Sequence, residues 1–517
     1  MKTPILGSSY VARSVNAAAN RMVNLFPEAV PEGGKEAAFL QRCPGLRWIT
    51  SAGEGPVRGL WAYKGKMYAV SGGGFYRFDN ANYFPTKLGS VGGEGPVSMA
   101  DNGTQLFIAC GRSGSYIWNE QTLVFKPITD PDFPGAVTVG FIDGYFVFNE
   151  PNSQKLWVTS LYDGNAIDPL DFASAEGNPD DIVALIVDHR EVWVFGTNTV
   201  EVWYNSGATD FPLQRVQGAF NEIGLAAAFS LAKMDNRLFW LGSDARGHGM
   251  VYVANGYTGT RISTHAVEWQ IQSYENLTDA IGYTYQQDGH SFYMLTFPSA
   301  NGGKGATWCY DVATQMWHER AALVDSEFHR HRTTCQQYHQ NQNFVGDAYS
   351  GRVFVFDTNI YSDDFEPQKW LRAWRALPTG QNNLTRSSHH SLQLDCETGV
   401  GVPPQSEGFT TVLATEILED LLTEDLLNTL LVQEQPSGLS PGVVPQVMLR
   451  WSDDGGHTWS NEHWRSMGRI GQYSTRVYWQ RLGMTVKLRD RVYEVSGTDP
   501  VKIAIMGAEL HLSGSSA

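Results

Sequence analysis

One run of the sequence has residue types that can bind a metal ion. Phe328-His-Arg-His-Arg-Thr-Thr-Cys335 is followed by His339, so His329, His331, Cys335 and His339 are candidate ligands. His329 and His331 are two residues apart and would share one face of a strand, at a spacing that can ligate zinc. No carboxylate that could orient a histidine and no second paired motif accompanies them. The run is therefore predicted to be a solvated or interface strand, with no bound metal and no cofactor.

A second run fits the Asp-box spacing S-x-D-x-G-x-T-W of sialidases. It is Ser452-Asp-Asp-Gly-Gly-His-Thr-Trp459, with Ser452, Asp454, Gly456, Thr458 and Trp459 at the fixed positions. An Asp-box is a hairpin clamp in which the carboxylate accepts N–H groups of the turn and the tryptophan packs beneath it. A catalytic site needs several convergent groups, and neither run supplies a nucleophile with a base. Both therefore favour a protein that is not an enzyme.

The elements that would position these residues repeat along the chain. Glu54-Gly-Pro-Val57 recurs as Glu94-Gly-Pro-Val97, a period of 40 residues, and each copy precedes short aromatic or β-branched strands separated by glycine turns. Weaker copies continue to Asp357, giving seven modules. This pattern is typical of propeller blades, which must stack in a ring because one blade cannot bury both faces. The sequence predicts an all-β fold with a propeller of six to eight blades.

The repeat is lost after Asp357, and a different pattern follows. Short alternating segments between glycine-rich turns predict a small antiparallel β-sandwich. The predicted domains are a lead-in or docking segment (1–54), the propeller (55–365), the sandwich (366–397 and 446–517) and an acidic insertion (398–445).

The insertion has leucines at a spacing of three to four residues, which predicts an amphipathic helix over Thr410–Gln433. Two alternatives are open for its apolar stripe: packing on its own sandwich, or association with copies in a ring. In the second case it would narrow or cap a channel, and the candidate gate residues are Leu418, Leu422, Leu426 and Leu430.

Composition restricts the class of protein. The net charge of −16 argues against tight wrapping of nucleic acid, which needs clustered Lys and Arg. Nine acids and no Lys or Arg lie between Arg386 and Arg450, and the remainder carries 45 acids and 38 bases, or −7. Five scattered cysteines without a CxxC pair indicate a reduced protein folded inside a cell. We expect no signal peptide and no membrane span.

Several motifs together resemble a phage family. Asn24-Leu-Phe-Pro-Glu28, Cys43-Pro-Gly-Leu46 and Val57-Arg-Gly-Leu60 match its opening. Central matches include Leu156-Trp-Val-Thr-Ser-Leu-Tyr-Asp-Gly-Asn165 and Glu191-Val-Trp-Val-Phe-Gly196, and late ones include Arg450-Trp-Ser-Asp-Asp-Gly-Gly456 and Arg489-Asp-Arg-Val-Tyr493. The chain is similar to the packaged-DNA stabilisation protein of short-tailed phages, also called the tail hub or nozzle. The resemblance covers nearly the whole chain except 398–445, where the sequence departs from the family pattern.

The resemblance implies a structural part of the virion tail that is folded and assembled in the host cytoplasm. Members of that family form a homohexameric ring below the portal and its adaptor ring. They extend the channel for double-stranded DNA, without sequence-specific binding, and keep the packaged genome from leaking before ejection. They also contact tail fibre, spike or needle proteins. The alternatives are a sialidase-like carbohydrate-active propeller and a propeller that binds host partners.

Overall fold

The computed structural model describes the whole chain except residues 16, 176–179, 245–246, 379–385, 404–409, 413–430, 434–439, 487–490 and 515–517. The chain divides into two compact units. One comprises residues 7–27 and 43–368, and the other comprises residues 1–6, 28–42 and 369–517. We call them the propeller unit and the sandwich unit and describe each by itself.

The propeller unit contains seven antiparallel blades within its described residues. Blades one to three consist of Val57–Tyr63, Lys66–Ser71, Gly74–Phe78 and Pro85–Ser90; Ser98–Asp101, Gln105–Ala109, Ser115–Asn119 and Val124–Pro127; and Val139–Ile142, Tyr145–Asn149, Lys155–Val158 and Phe172–Ser174. Blades four and five consist of Ile182–Asp188, Glu191–Gly196, Val200–Asn205 and Leu213–Asn221; and Gly224–Leu225, Ala232–Met234, Arg237–Asp244, Gly247–Asn255 and Thr258–Arg261. Blade six consists of Ile281–Gln287, His290–Phe297, Ala306–Asp311 and Met316–Glu319.

Blade seven is completed by a strand from far upstream. Thr333–His339, Gln342–Asp347 and Arg352–Asp357 supply three strands, and Gly45–Ser51 pairs antiparallel with the last of them as the fourth. The predicted lead-in (1–54) is therefore not one piece, because residues 45–51 belong to a blade and residues 1–6 and 28–42 belong to the sandwich unit. The ring closes by pairing the start of the propeller sequence with its end.

Short elements surround the blades. Ala19–Val23 lies parallel beside the outer strand of blade six and also pairs with Tyr10–Val11. The others are the 3-10 turn Ala228–Ser230, the helix His265–Gln272, the hairpin Ala321–Val324 and Glu327–Arg330, and the pair Ser362–Asp363 and Glu366–Pro367. The chain leaves the propeller unit for the sandwich unit within the strand Leu25–Ala29, between residues 27 and 28.

Each interface between neighbouring blades has its own apolar cluster. Tyr63, Val70 and Trp118 belong to the cluster between blades one and two, and Val57, Phe344 and Val355 to the cluster between blades seven and one. Five further clusters fill the other five interfaces. Burial of apolar area is the main favourable term in folding, so the ring is held by seven separate cores.

Polar contacts also join neighbouring blades. Trp61 Nε1 donates to Asp101 Oδ2 at 3.0 Å between blades one and two. Arg190 Nη2 lies 2.8 Å from Asp143 Oδ1 between blades four and three, and Lys233 Nζ lies 2.6 Å from Asp188 Oδ1 between blades five and four. The aspartates stand at the end of an inner strand or in the turn that follows it, so the turns predicted from Asp and Gly also join the blades.

A carboxylate buried between blades one and two gives the first testable prediction. Glu120 accepts hydrogen bonds from Tyr68 Oη at 2.5 Å and Trp118 Nε1 at 2.7 Å, and it pairs with Lys66 at 2.5 Å. Tyr68 and Trp118 are almost fully buried. Glu120→Ala leaves two buried donors without this acceptor, at about 1–3 kcal/mol each, so unfolding by denaturant should show a loss of about 2–6 kcal/mol.

The control for this prediction is Glu191→Ala, which removes a contact with the exposed Tyr257 and should cost less than about 1 kcal/mol. Burial raises the pKa of Glu120, but the hydrogen bonds from Lys66, Tyr68 and Trp118 outweigh it and the pKa is lowered. The ionised Glu120 therefore stabilises the folded state fully above the ordinary glutamate pKa. This stabilisation is lost as pH falls through the lower pKa that Glu120 has in the folded protein. Equal losses for the two variants, or an unchanged acid dependence for Glu120→Ala, would contradict the assignment.

Two larger antiparallel sheets are present in the described part of the sandwich unit. In one, the strand order is Trp370–Arg375, Val492–Gly497, Gln446–Ser452 and His463–Ser466. In the other, it is Ala38–Arg42, Ala504–Gly514, Ser387–Cys396 and Val477–Met484. The predicted fold class, an all-β propeller followed by a sandwich, is confirmed.

The helix predicted over Thr410–Gln433 is wrong at both ends. Thr410–Val412 and Leu431–Gln433 are strands that pair antiparallel with each other. Residues 413–430 lie outside the described residues, and with them Leu418, Leu422, Leu426 and Leu430. The gate role of these leucines stays a prediction.

Candidate functional site

The Asp-box residues lie in the sandwich unit, in the loop between Gln446–Ser452 and His463–Ser466. Asp454 Oδ1 accepts the backbone N–H groups of His457 and Thr458 at 2.9 Å each, and Asp454 Oδ2 accepts the Thr458 hydroxyl at 2.6 Å. The Ser452 hydroxyl donates to Asp454 at 2.6 Å and accepts from the N–H of Gly456 at 2.7 Å. Asp454 is exposed, and the hydroxyls of Ser452 and Thr458 hold the pKa of its carboxyl far below the ordinary value. Both oxygens of this carboxylate accept hydrogen bonds from groups of its own turn, so Asp454 holds the turn together like a clamp.

The neighbouring Asp453, which the motif leaves unspecified, has a deeper role. Its carboxylate accepts hydrogen bonds from Nε and Nη2 of Arg491, at 2.7 and 2.8 Å. The Arg491 side chain is 1% exposed and also donates to the carbonyl of Leu482 at 2.7 Å. The loop is thus joined to the core of the sandwich through Asp453, a link that no spacing rule signals.

The four candidate metal ligands are not brought together. His331 is fully buried, with Nδ1 2.7 Å from Thr333 Oγ1 and Nε2 3.1 Å from Arg320 Nη2. Arginine can only donate, so Nε2 accepts and Nδ1 carries the proton. Burial and the charge of Arg320 hold the pKa of His331 well below its ordinary value. Both nitrogens of the neutral ring are therefore occupied.

The other candidates lie apart from His331. Cys335 and His339 belong to the inner strand of blade seven, whereas His329 belongs to the hairpin strand Glu327–Arg330. Thr333 and His339 stand at opposite ends of that inner strand, roughly 20 Å apart at 3.3 Å per residue. Burial raises the pKa of the Cys335 thiol to about 12. In the part of the chain that the structure describes, no three His, Cys, Asp or Glu side chains form a group that could hold a metal ion.

A cavity of about 620 Å³ lies on the axis of the propeller unit. Residues from the inner strands of all seven blades line this axial cavity, and its apolar lining includes Trp61, Met99, Phe141, Leu185 and Phe229.

Its charged groups are already engaged. The guanidinium of Arg58 donates to the carbonyls of Gly72, Gly92 and Gly95 at 2.6–3.1 Å. Asp101 accepts from Trp61, and Lys233 pairs with Asp188. Among the described lining residues there is neither a pair of facing carboxylates nor a set of arginines for an acidic sugar, which glycoside cleavage would need.

Two family models match the chain. Residues 1–361 match the model described as bacteriophage P22 Gp10, beta-propeller, and residues 410–513 match the model described as bacteriophage P22 Gp10, beta-sandwich. The chain belongs to the bacteriophage P22 Gp10 family. The resemblance inferred from the sequence motifs is thereby confirmed.

One prediction about the Gp10 family pattern is wrong. The segment 398–445 was expected to depart from the family, yet the sandwich match begins at residue 410 and runs through the rest of it. Only residues 398–409 of the predicted insertion lie outside the matched ranges.

A curated member of the Gp10 family is the tail hub protein gp10 of Salmonella phage P22. It is 23% identical over 291 residues, and the match covers 52% of this chain and 60% of that protein. The chain thus matches less than two thirds of the length of this relative.

Solved structures are similar at a lower level. The WD40 propeller domain of Doa1 is 13% identical, with a TM-score of 0.39 over 61% of this chain and 97% of that one. The N-terminal domain of Nup159 is 10% identical, with a TM-score of 0.39 over 65% and 98%. We draw nothing about function from likenesses at this level.

Within the described residues, no helix is long and apolar enough to cross a membrane.

Proposed function

We propose that this protein is a structural hub or nozzle of a phage tail and does not catalyse a reaction. The observation that carries the proposal is the pair of Gp10 family matches, one over the propeller and one over the sandwich. The name of the curated relative, a tail hub protein, supports the same role.

In finer detail, six copies form a ring below the portal and its adaptor ring and extend the DNA channel. The ring retains the packaged genome until ejection and carries contacts for tail fibre, spike or needle proteins. Its place is the virion tail, after folding and assembly in the host cytoplasm.

The physical properties of the chain suit such a conduit. Seven apolar cores and the polar ties between blades make the propeller stiff. The net charge of −16 repels phosphates rather than holding them, so DNA can slide past without sequence-specific binding. Which face of the ring carries the acids stays a prediction.

The mass of the assembled protein tests this proposal. The chain has a mass of 57.3 kDa, so a ring of six has six times that mass, 344 kDa. We expect native mass spectrometry to find this species, either for the purified protein or after mixing with the adaptor ring encoded by the same phage. A protein that stays monomeric under both conditions would overturn the hexamer, and a monomer that binds host proteins would favour the host-partner alternative.

The sialidase-like alternative receives no support from the axial cavity, whose described lining lacks the required carboxylates and arginines. The Asp-box likewise serves its own turn rather than a substrate.

A further inference from the structure

Three exposed arginines lie along one edge of the sandwich unit. Arg465 belongs to the strand His463–Ser466, and Arg469 and Arg476 belong to the connection between that strand and Val477–Met484. We call Arg465, Arg469 and Arg476 the arginine strip.

The arginine strip lies where the edges of the two sheets meet. His463–Ser466 and Val477–Met484 are the last strands of their sheets. Arg465 Nε donates to the carbonyl of Tyr478 at 2.9 Å, and the guanidinium carbon of Arg476 lies 5.9 Å from the centre of the Tyr478 ring. Two of the three positive charges are therefore close together.

The charge of the arginine strip is not balanced locally. Between residues 463 and 486 the sequence has no Asp or Glu. Arg465 donates to the carbonyl of Trp464 at 2.8 Å, and Arg476 donates to the side-chain oxygen of Gln393 at 2.7 Å, and both acceptors are neutral. Among the described residues, none of the three arginines forms an ion pair. Exposed guanidiniums without a carboxylate attract an anionic partner.

Both ends of the acidic insertion are bound to the same connection. The Thr398 hydroxyl donates to the carbonyl of Tyr473 at 2.9 Å. The N–H of Gly399 donates to the carbonyl of Met467 at 3.0 Å, and the N–H of Met467 donates to the carbonyl of Pro445 at 2.8 Å. The insertion therefore leaves and rejoins the sandwich beside the connection that carries two arginines of the strip.

The acids of the insertion are concentrated in residues 413–430, which lie outside the described residues. This segment has no Lys or Arg, and its acids are Glu416, Glu419, Asp420, Glu424 and Asp425. The connections 404–409 and 434–439 on either side of Thr410–Val412 and Leu431–Gln433 can each span at most about 20 Å. A tether of this length gives an effective concentration on the order of millimolar, so weak surface ion pairs suffice for binding.

We propose that the acidic segment 413–430 binds the arginine strip of its own chain. Its carboxylates pair with the three guanidiniums, and the exposed side chains of Ile470 and Tyr473 offer apolar contacts to its leucines. The bound segment keeps the strip from holding other polyanions. The contact lies within one chain, so the inference goes beyond the proposed function and does not depend on it.

Chemical cross-linking tests where the acidic segment binds. The full-length variant Arg465→Lys, Arg469→Lys, Arg476→Lys keeps the charge of the strip and supplies amines that a carbodiimide couples directly to carboxylates. We expect mass spectrometry of the single-chain band of a denaturing gel to find residues 413–430 coupled to the three substituted positions. The yield should fall at least three-fold at high salt, which screens exposed charges.

The matched control is Arg13→Lys, Arg112→Lys, Arg237→Lys, which places three amines at exposed positions of the propeller unit. Coupling of residues 413–430 to these positions should be at least ten-fold rarer. Equal coupling in the two variants, or no coupling to the strip, would overturn the proposal. Coupling found only in the band of two joined chains would also overturn it, because the partner would then be a second copy.

Neutralising the acidic segment gives a second, independent measurement. In the variant Glu416→Gln, Glu419→Gln, Asp420→Asn, Glu424→Gln, Asp425→Asn, backbone hydrogen exchange of residues 467–475 should become at least two-fold faster, because the segment is released. The same variant should elute from immobilised heparin, a polyanion, at higher salt than its control.

The control for neutralisation removes five charges of the same types at exposed positions of the propeller unit. It is Glu54→Gln, Asp132→Asn, Glu222→Gln, Glu275→Gln, Asp288→Asn. We expect its hydrogen exchange at 467–475 to match that of the unmodified protein. Equal exchange and equal elution of the two neutralised variants would show that the segment does not bind the strip.

Discussion

Asp453→Ala should destabilise the sandwich unit by about 3–5 kcal/mol. The substitution removes the carboxylate that pairs with the buried guanidinium of Arg491, which keeps its hydrogen bonds to the carbonyls of Leu482 and Met484. Removing one partner of a buried ion pair costs this much because the remaining charge stays desolvated without compensation. Arg491 also lies over the Trp451 ring at 5.4 Å, so its displacement disturbs the core of the same sheet.

Asp454→Ala is the control, since it changes the adjacent residue of the same loop. Its carboxylate is exposed and its hydrogen bonds are local to the turn, so we expect a loss of only about 1 kcal/mol. A chain with two compact units need not unfold in one two-state transition, so a measurement confined to the sandwich strands is used here. Hydrogen exchange by mass spectrometry, followed for Gln446–Ser452 and Val492–Gly497, reports the sandwich alone. A similar increase in the rate of hydrogen exchange in both variants would show that Asp453 has no special role.

Gly351→Val should disrupt the strand pairing that closes the propeller ring. We expect it to lower the free energy of unfolding by at least about 3 kcal/mol. A Cβ atom on Gly351 would lie 2.2 Å from the carbonyl oxygen of Gly53 and 2.5 Å from that of Ala52. These atoms belong to the backbone, so neither can turn away as a side chain would. The carbonyl of Gly351 also accepts from the N–H of Ala52 at 2.7 Å, a bond that the displaced chain would lose.

Gly507→Val provides the control for the closure. A Cβ atom on Gly507 meets nothing within 4 Å, so the substitution should change stability by less than about 1 kcal/mol. Thermal unfolding and proteolysis at low protease concentration measure the effect. We expect Gly351→Val to be cleaved faster at the Gly45–Ser51 strand. Resistance equal to that of the unmodified protein would refute the importance of this junction.

Both predictions concern residues that sequence reasoning passed over. The Asp-box spacing selected Asp454, whose hydrogen bonds are local and follow from the turn. Asp453 gains its importance from Arg491, 38 residues further on. Because arginine side chains are almost never fully buried, no pattern in the sequence marks Arg491 as a core residue.

The metal candidates show the same limit. The sequence placed His329 and His331 on one face of a strand, but that strand ends at Arg330. His331 lies beyond its end, with its ring nitrogens bonded to Arg320 and Thr333. The leucine spacing of 410–433 indicated a helix, whereas the described ends of the segment form a two-stranded sheet. The spacing of apolar residues within one segment does not show whether another strand is available to pair with it. Where such a strand is present, pairing with it overrides the helical spacing.

The class of fold can be predicted from the sequence alone, because blade strands and their turns are local features. Alternating apolar residues define the two faces of each strand, and Asp or Gly marks each tight turn, so repeated modules are visible without any knowledge of their partners. The closure of the ring is visible in the three-dimensional structure, where Gly45–Ser51 pairs with Arg352–Asp357 about three hundred residues later. The structure alone also assigned residues 28–42 to the sandwich unit. Two strands pair when their free backbone N–H and C=O groups come together in space. Strands that are far apart in the sequence carry no local pattern that identifies their partner.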